Sequence, residues 1–183
     1  MKLEHNKYYH FYNRSNTQEL LFHERDNYIY FLSKYRKYLD EYLNTLAYCL
    51  MPNHFHFLVK VKTDSDIVQL KRNIGIFLSS YSKAINKAYG RVGSLFQQHS
   101  KTKELIDDKT ILNVINYIHQ NPLRKALVKN LEDWEFSSFR DYVNLRSGTL
   151  INKDFVSAHI PTIKEFRFFS MTKAEKFNFI LNV

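Results

Sequence analysis

Residues that break, bend or cross-link a chain are scarce in this sequence. It has one cysteine, three prolines and four glycines among 183 residues. The single cysteine, Cys49, excludes an internal disulfide and a cysteine-rich zinc site, which is typical of a reducing compartment. Little proline and glycine means little linker material, and the sequence has no repeat or low-complexity segment. The length therefore predicts one domain, or one domain with an extension, that buries its own core.

Long apolar runs are missing as well. The least charged run, from Tyr42 to Val59, is interrupted by Pro52, Asn53 and two histidines, so it cannot serve as a membrane span. The first residues, MKLEHNKYYH, have no apolar core of the kind that a secretory signal needs. The sequence therefore predicts a soluble, cytoplasmic protein without a membrane partner.

Positive charge and aromatic side chains are abundant instead. Lys and Arg number 27 against 18 Asp and Glu, a formal charge of +9, and aromatic residues make up 16% of the chain. Cationic side chains neutralise a phosphate backbone and aromatic rings stack on unpaired bases, so nucleic acid is the first partner to consider. Ten basic residues are candidates for phosphate contacts, and the alternative for each is an ordinary surface charge. The foremost candidates are Arg14, Lys101, Lys103 and Arg124, and the others are Lys71, Arg72, Lys83, Lys87, Arg91 and Lys125.

Hydrophobic periodicity predicts the element order β-α-β-β-α-β, followed by a further helix. The strands are expected at residues 7–14, 45–51 and 54–61 and within 93–106. The helices are expected at residues 24–42, from a cap at Asp64 or Ser65 to near Gly90, and from a cap at Asp107 or Asp108 to near Pro122. This order is the split βαβ arrangement, an α+β, ferredoxin-like fold with an antiparallel sheet. We expect helices on one face of the sheet and a second face free for binding or chemistry.

One predicted strand carries two histidines two positions apart. Residues i and i+2 of a strand point to the same face, so His54 and His56 project together while Phe55 and Phe57 point the other way. Two neutral imidazoles placed like this can ligate one divalent cation. The alternative is a pair of surface or hydrogen-bonded core histidines, because the pattern alone lacks a third ligand and a reactive group.

The third predicted helix offers candidates for both. Residues three and four apart share a helix face, so Tyr117, Gln120 and Asn121 can point the same way, while His119 points roughly opposite. A phenol and a carboxamide at this spacing can place a nucleophile beside a metal. The alternative is that Tyr117 only packs and that Asn121 caps a following helix at Pro122.

Four segments together resemble a known family. They are YCLMPNHFHFLV from Tyr48, GSLFQQHSK from Gly93, YIHQNPLRKALV from Tyr117 and WEFSSFRDY from Trp134. In this order they are similar to the single-tyrosine HUH transposases, and within these to the REP-associated tyrosine transposases. The resemblance extends over about residues 7–142 and thins beyond 150. It thus divides the chain into a catalytic domain, 1–150, and a C-terminal helical extension, 151–183, that packs on or beside it.

The resemblance implies a metal-dependent enzyme that cleaves and rejoins single-stranded or hairpin DNA through a 5′-phosphotyrosine intermediate. By the same resemblance, His54 and His56 bind Mg²⁺ or Mn²⁺ and Tyr117, on an added catalytic helix, is the nucleophile. Asn121 completes the metal site, with Gln120 as the substitute because a proline follows Asn121. The resemblance is compatible with a monomer and with a homodimer that exchanges the tyrosine helix.

Other interpretations stay open. A ferredoxin-like sheet with aromatic strands and positive charge also describes a non-catalytic module that binds single-stranded nucleic acid. In the transposase interpretation too, unpaired bases of the DNA would stack on one face of the first strand, either Tyr8, His10 and Tyr12 or Tyr9 and Phe11, although both sets are also plausible core. A replication initiator or relaxase of the same superfamily predicts a longer chain, and an inactive relative would keep the fold without cleavage.

The last part of the sequence also has two interpretations. For the segment from Trp134 to Tyr142 the first interpretation is a structural role, in which its aromatic residues pack a C-terminal element back on the domain. The segment rich in Phe and Lys, from Lys164 to Lys176, either guides DNA or covers the core.

Overall fold

The computed structural model describes residues 1–17, 19–172 and 174 of the chain. Four strands form one antiparallel sheet with the spatial order β2-β3-β1-β4. The strands are β1 (Tyr8–Arg14), β2 (Leu43–Met51), β3 (His54–Val61) and β4 (Lys101–Leu105). This order, with a helix after β1 and another after β3, is the ferredoxin-like βαββαβ fold that the sequence predicts.

Six α-helices lie within the described residues. They are α1 (Arg25–Leu39), α2 (Ile67–Ala88), α3 (Asp108–Arg124), α4 (Phe139–Tyr142), α5 (Asp154–His159) and α6 (Ile163–Met171), with a 3₁₀ turn at Leu131–Asp133. The first three helices and all four strands match the elements predicted from periodicity, with ends displaced by a few residues. No helix in the described part of the chain is long and apolar enough to cross a membrane.

The caps of α2 and α3 fix where these helices begin. Helix α2 is capped by Asp66, whose carboxylate accepts from the backbone N–H groups of Val68 and Gln69 at 2.8 and 2.9 Å. The expected cap was Asp64 or Ser65, and the Ser65 hydroxyl instead donates to the Tyr42 carbonyl, directly before β2, at 2.7 Å. Asp107 caps α3 as expected, because it accepts from the Thr110 N–H at 2.8 Å.

One face of the sheet packs against α1 and α2. Phe55 and Phe57 of β3 are fully buried there with Phe31 of α1 and Phe77 of α2. The rings of Phe31 and Phe77 lie 4.7 Å apart between centroids, and Tyr35 stacks on Phe57 at 4.1 Å. These aromatic contacts make the larger of the two cores, and they explain the period-2 and period-3.6 patterns of the sequence.

The second face of the sheet is covered as well, so the expectation of a free face is wrong. Helix α3 lies across β2 and β3, where Ile111, Val114 and Ile118 pack with Leu46 and Leu58 in a second core. The strand β2, LNTLAYCLM, is buried at eight of its nine positions. A strand with apolar residues on both sides is usually covered on both sides. The apolar pattern of β2 was therefore the sequence signal that the second face is covered.

The C-terminal part packs back on the domain, as the sequence predicts for the segment that begins at Trp134. The Trp134 indole N–H donates to the Leu50 carbonyl at 3.0 Å, and Phe136 stacks on Tyr28 with 4.0 Å between centroids. Phe166 of α6 belongs to the second core. The division near residue 150 stays a prediction, and residues 173 and 175–183, including Lys176, lie outside the described residues.

Helix α3 passes through Pro122 and ends at Arg124, beyond the stop that the proline predicts. Proline has no N–H to donate to the carbonyl four residues earlier, which belongs to Ile118. The Asn121 side chain compensates, since its Nδ2 donates to the carbonyls of Tyr117 and Ile118 at 2.9 and 3.4 Å. The alternative that Asn121 caps a following helix is therefore wrong.

Candidate active site

The two histidines of β3 lie side by side on the face of the sheet that α3 covers. His54 is 5% exposed and His56 is fully buried, with 5.0 Å between their ring centroids. Because β3 is an inner strand, paired with both β1 and β2, the backbone holds both rings in fixed positions. Their partners across the β1 ladder are Arg14 for His54 and Tyr12 for His56.

The hydrogen bonds of His54 leave one ring nitrogen without a partner in the described structure, and this nitrogen can bind a ligand. Its Nδ1 lies 2.7 Å from the Asn53 side-chain oxygen, which can only accept, so the proton of the neutral ring is on Nδ1. Within the described residues, the Nε2 atoms of His54 and His56 are both buried without a hydrogen-bond partner. Burying a polar atom without a hydrogen-bond partner costs about 1–3 kcal/mol of folding free energy. Two such nitrogens side by side therefore indicate a site that binds a ligand.

Both histidines are in the neutral form that binds metal. Burial, together with the positive charges of Lys125 and Arg14, lowers the pKa of His54 to about 4. Burial also lowers the pKa of His56 well below its usual value. At neutral pH each ring therefore carries a single proton, and its other nitrogen has a lone pair that can bind a cation.

Tyr117 of α3 lies against this pair. Its ring is 7% exposed and meets the ring of His56 edge-on, with 5.7 Å between centroids. Burial raises the pKa of Tyr117, while the nearby charge of Arg124 and a hydrogen bond with the Asn121 side chain lower it in part. The Arg124 guanidinium carbon is 5.4 Å from the centre of the phenol ring. The phenol is thus protonated at neutral pH and needs further positive charge nearby to ionise.

The two carboxamides that follow Tyr117 point in different directions. Asn121 turns its Nδ2 to the backbone of its own helix, and its side chain is hydrogen bonded to the Tyr117 phenol. Gln120 points to the C-terminal extension, where its Nε2 donates to the carbonyls of Ser170 and Thr172 at 2.9 and 2.6 Å. The structure thus brings Asn121, not Gln120, to Tyr117.

The chemistry of this candidate set differs from that of a charged metal centre. Within residues 1–17, 19–172 and 174, no group of three or more His, Cys, Asp or Glu side chains is placed to hold a metal ion. His54, His56 and Asn121 would instead supply two imidazoles and an amide oxygen, all neutral. Such a set leaves the whole charge of a divalent cation for the oxygens of a bound phosphate.

Basic residues surround the histidines. His54 lies in a cleft of about 440 Å³ whose walls include Arg14 and Lys125. Lys101 and Lys103 are exposed on β4 and pair with Tyr12 and His10, which places them on the same face of the sheet as the histidines. The four foremost basic candidates, Arg14, Lys101, Lys103 and Arg124, therefore lie beside the site.

One of the remaining basic candidates is already engaged. Arg91 forms an ion pair with Glu19 and donates to the Asn86 side chain at 2.7 Å, so its guanidinium is not available to a phosphate.

A third histidine adjoins the site and was predicted only as a base-stacking or core residue, not as part of the metal site. His10 of β1 is fully buried, and its Nε2 lies 2.9 Å from Nδ1 of His56. Burial lowers the pKa of His10 to about 3. The sequence holds only a weak signal for it, because the pairing of His10 with His56 depends on the register between two strands that are distant along the chain.

Comparison with known proteins agrees with this arrangement. The model of the family described as "Transposase IS200 like" matches residues 4–121, a span that includes both histidines, Tyr117 and Asn121. The chain belongs to the IS200-like transposase family. This confirms the resemblance carried by the four sequence segments.

Two proteins similar to this IS200-like chain are described as REP-associated tyrosine transposases. A curated protein of Haemophilus influenzae, described as a REP-associated tyrosine transposase, is 29% identical over 117 residues, which are 60% of this chain and 66% of that protein, just under two thirds of its length. A solved structure of a REP-associated tyrosine transposase bound to a REP hairpin matches with a TM-score of 0.61 and 18% identity, covering 84% of this chain and 87% of the other. At this identity the structural likeness shows a shared fold.

Proposed function

We propose that this IS200-like chain is a DNA transposase that cleaves and rejoins single-stranded or hairpin DNA with Tyr117 as nucleophile. The observation that carries the proposal is the edge-on contact of Tyr117 with His56, beside two buried imidazole nitrogens that lack partners in the described structure. A nucleophile next to two neutral imidazoles that can ligate a cation is suited to metal-assisted phosphoryl transfer.

In the proposed reaction the Tyr117 oxygen attacks a backbone phosphorus and the bond from phosphorus to the 3′-oxygen breaks. The tyrosine loses its proton, the departing 3′-oxygen gains one, and the DNA stays attached as a 5′-phosphotyrosine. Since one phosphoester replaces another, a second 3′-hydroxyl can reverse the step and join a different end without an external energy source.

A divalent cation fits the residues that are present. His54 and His56 would bind it through Nε2 and Asn121 through Oδ1. When bound, the cation would polarise the scissile phosphate and favour ionisation of Tyr117. Imidazole is a softer ligand than the oxygens that Mg²⁺ prefers, so this set favours Mn²⁺ over Mg²⁺ in affinity.

The DNA substrate is proposed from the charges around the site. Arg14 and Lys125 in the cleft beside His54 would bind backbone phosphates on one side of the scissile bond, and Lys101 and Lys103 would bind them along β4. Hairpin DNA is the ligand named for the structurally similar REP-associated transposase, and we extend that substrate class to this chain.

A monomer suffices for the proposed reaction. Tyr117 contacts His56 of its own chain, so the nucleophile and the metal ligands come together without a partner subunit. A homodimer that exchanges the tyrosine helix would have to detach α3 from the second core, where Ile111, Val114 and Ile118 are buried.

The non-catalytic binding module is the weaker candidate. It needs an aromatic strand face open to bases, but Tyr9 and Phe11 lie in one core, and on the other face His10 is fully buried and Tyr12 is 8% exposed. Such a module also gives no reason for leaving two buried imidazole nitrogens without partners.

The experiment uses a labelled hairpin oligonucleotide with single-stranded flanks, incubated with protein and Mn²⁺ or EDTA, and analysed on a denaturing gel. We expect a Mn²⁺-dependent, protease-sensitive covalent band that is absent with Tyr117→Phe and present with Tyr30→Phe, a control on the other side of the sheet. A covalent band with Tyr117→Phe would show that another residue is the nucleophile. Absence of the band from a broad pool of hairpins, with DNA binding intact, would favour the non-catalytic module.

A further inference from the structure

His10 is a buried histidine with an unusual set of neighbours. The centroid of its ring lies 4.6 Å from that of Tyr12, 5.1 Å from that of His56 and 6.3 Å from that of Tyr117. Its Nε2 forms the 2.9 Å hydrogen bond with His56 Nδ1, and its Nδ1 is buried without a partner within the described structure. The buried Nδ1 of His119 also lacks a partner there, but the Nε2 of His119 bonds to Ser138, whereas that of His10 bonds to a proposed metal ligand.

We infer that His10 is a positioning residue, which accepts the Nδ1 proton of His56 and so directs the Nε2 lone pair of His56 to the cation. The inference rests on the proposed function, because it assigns His10 a role in the metal site proposed above. It concerns the tautomer of His56 and the orientation of its ring.

The proton count of the pair has two solutions. In the first, His56 Nδ1–H donates to His10 Nε2, so His56 Nε2 carries a lone pair and His10 holds its proton on Nδ1. In the second, His10 Nε2–H donates to His56 Nδ1, so the proton of His56 is on Nε2 and faces the position of the cation. Both solutions keep the 2.9 Å bond and leave one buried N–H without a partner in the described structure.

Only the first solution allows His56 to bind metal, because a ligand nitrogen must present a lone pair. The two solutions have the same number of unsatisfied N–H groups, so the protein alone gives no strong preference between them. A cation at Nε2 removes the second solution. The His10 ring thus supplies an acceptor that is available when metal binds.

The two metal-binding histidines would then be fixed in different ways. Asn53 accepts from His54 Nδ1 through an amide oxygen, which admits one tautomer only. His10 accepts from His56 through an imidazole, which can also donate. Outer partners of this kind hold the ring of a metal-binding histidine and raise its basicity, and their loss typically lowers metal affinity by about 10- to 100-fold.

The test compares two substitutions of His10. His10→Gln can place its side-chain oxygen near the position of the imidazole Nε2 and keeps an acceptor for His56, whereas His10→Phe keeps the ring shape and removes the acceptor. The matched control is His119→Phe, at a fully buried histidine whose Nε2 bonds to Ser138 Oγ at 2.8 Å in the C-terminal half. Mn²⁺ affinity is measured by electron paramagnetic resonance on the intact protein without DNA.

We expect His10→Phe to weaken Mn²⁺ binding by about 10- to 100-fold. His10→Gln should stay within about threefold of the unchanged protein, and His119→Phe should leave the affinity unchanged. A merely structural role would instead make both His10 substitutions lower the thermal midpoint, with no recovery of metal affinity in His10→Gln. Equal Mn²⁺ affinity in folded His10→Phe and the unchanged protein would overturn the inference.

A second measurement decides the matter if His10→Phe does not fold. In ¹⁵N-histidine-labelled unchanged protein saturated with Mg²⁺, long-range NMR correlations report which nitrogen of His56 is protonated. A proton on His56 Nδ1 with a ¹⁵N–¹⁵N coupling through the hydrogen bond to His10 Nε2 supports the inference, and a His56 Nδ1 proton without that coupling refutes it.

Substitution of His54 separates the two hypotheses. If His54→Ala binds Mn²⁺ as well as the unchanged protein, the proposed metal site is wrong, and the role of His10 is refuted with it. If His54→Ala loses Mn²⁺ while His10→Phe retains it, the metal site stands and only the positioning role is refuted.

Discussion

Tyr117 of α3 and His56 of β3 meet edge to ring, with their centroids 5.7 Å apart. The contact exists because α3 crosses β2 and β3 and buries Ile111, Val114 and Ile118 against them. Apolar packing at Ile111 and Val114, about two turns and one turn before Tyr117, and at Ile118, directly after it, therefore sets the position of the phenol. The nucleophile and the metal ligands are on separate elements, and a well-packed core joins them.

The carboxamides at 120 and 121 should have separable roles. Asn121→Ala removes the proposed third ligand, so we expect Mn²⁺ affinity to fall by about 10-fold, the order of a single lost ligand contact. Gln120→Ala removes two hydrogen bonds to α6 and the residues after it, so it should lower the free energy of unfolding by about 1–3 kcal/mol and leave Mn²⁺ affinity unchanged. Calorimetric Mn²⁺ titration and urea unfolding measure the two effects.

Asn121 also bonds to the backbone that Pro122 leaves without a donor, so Asn121→Ala should lose some stability too. Asn121→Asp is the control, since a carboxylate is a better metal ligand but has no N–H for those carbonyls. Tighter Mn²⁺ binding in Asn121→Asp, at reduced stability, is the expected result. If Gln120→Ala loses metal and Asn121→Ala does not, the assignment is reversed.

The cleft beside His54 should bind phosphate through Arg14 and Lys125. Replacing either by Ala should weaken DNA binding, and should reduce the slope of log affinity against log salt by about 0.7–0.9 per lost phosphate contact. Binding of a labelled hairpin at several salt concentrations measures the slope. Lys37→Ala, an exposed cation of α1 on the opposite side of the sheet, is the control and should leave the slope unchanged.

Mn²⁺ affinity separates this contribution from the metal site. Arg14→Ala and Lys125→Ala remove positive charge near His54, so they should leave Mn²⁺ binding unchanged or slightly stronger. An unchanged salt slope in both variants would show that the cleft does not hold the DNA backbone.

The local parts of the site could be predicted from the sequence. The shared face of His54 and His56 follows from the two-residue period of a strand, and the common direction of Tyr117 and Asn121 follows from the four-residue spacing on a helix. Both relationships depend only on positions close together along the chain. The order of the strands was also predictable, because the succession of helix and strand patterns leaves few topologies.

The parts that depend on tertiary packing could not be predicted in this way. Gln120 has the same helical spacing argument as Asn121, but the docking of α6 draws its amide away from the site. The pairing of His10 with His56 requires the register of β1 against β3, which no local pattern encodes. The second face of the sheet is covered because α3 docks on β2. In the sequence, the apolar residues on both sides of β2 were the signal for this docking.

Acid should destabilise the fold through its buried histidines. Burial lowers the pKa to about 3 for His10 and His119 and to about 4 for His54, and lowers that of His56 as well. An unfolded chain binds these protons near pH 6.5 and the folded protein does not, so stability is complete above about 6.5 and is lost as pH falls towards 4. Each such histidine contributes a slope of at most about 1.4 kcal/mol per pH unit.

Urea unfolding between pH 7.5 and 4.5 measures this slope. His119→Gln removes one titrating group outside the metal site, so its free energy of unfolding should fall less steeply with acid than that of the unchanged protein. His159→Gln is the control, because hydrogen bonds to Phe155 and Asp108 raise the pKa of this exposed histidine and its removal should not flatten the curve. Identical slopes in all three proteins would contradict the assignment.

The packing of residues 134–146 against strand β2 should depend on Arg146. Its guanidinium bonds to the buried carboxylate of Asp141, to the Tyr48 hydroxyl at 2.7 Å and to the carbonyls of Glu135 and Ser137 at 2.7 and 2.8 Å. The Asp141 side chain is only 3% exposed, so removing the arginine leaves a buried charge with no counterion. We expect Arg146→Ala to lower the free energy of unfolding by about 3 kcal/mol, as measured by urea unfolding.

Two further variants separate the charge from the packing. Arg146→Ala combined with Asp141→Asn should recover part of the loss, because the second change removes the uncompensated charge. Arg167→Ala breaks a surface ion pair with Glu132, in which both side chains are 39% exposed, and should cost less than about 1 kcal/mol. If the two single arginine variants were equally stable, the buried carboxylate would not be what makes Arg146 necessary.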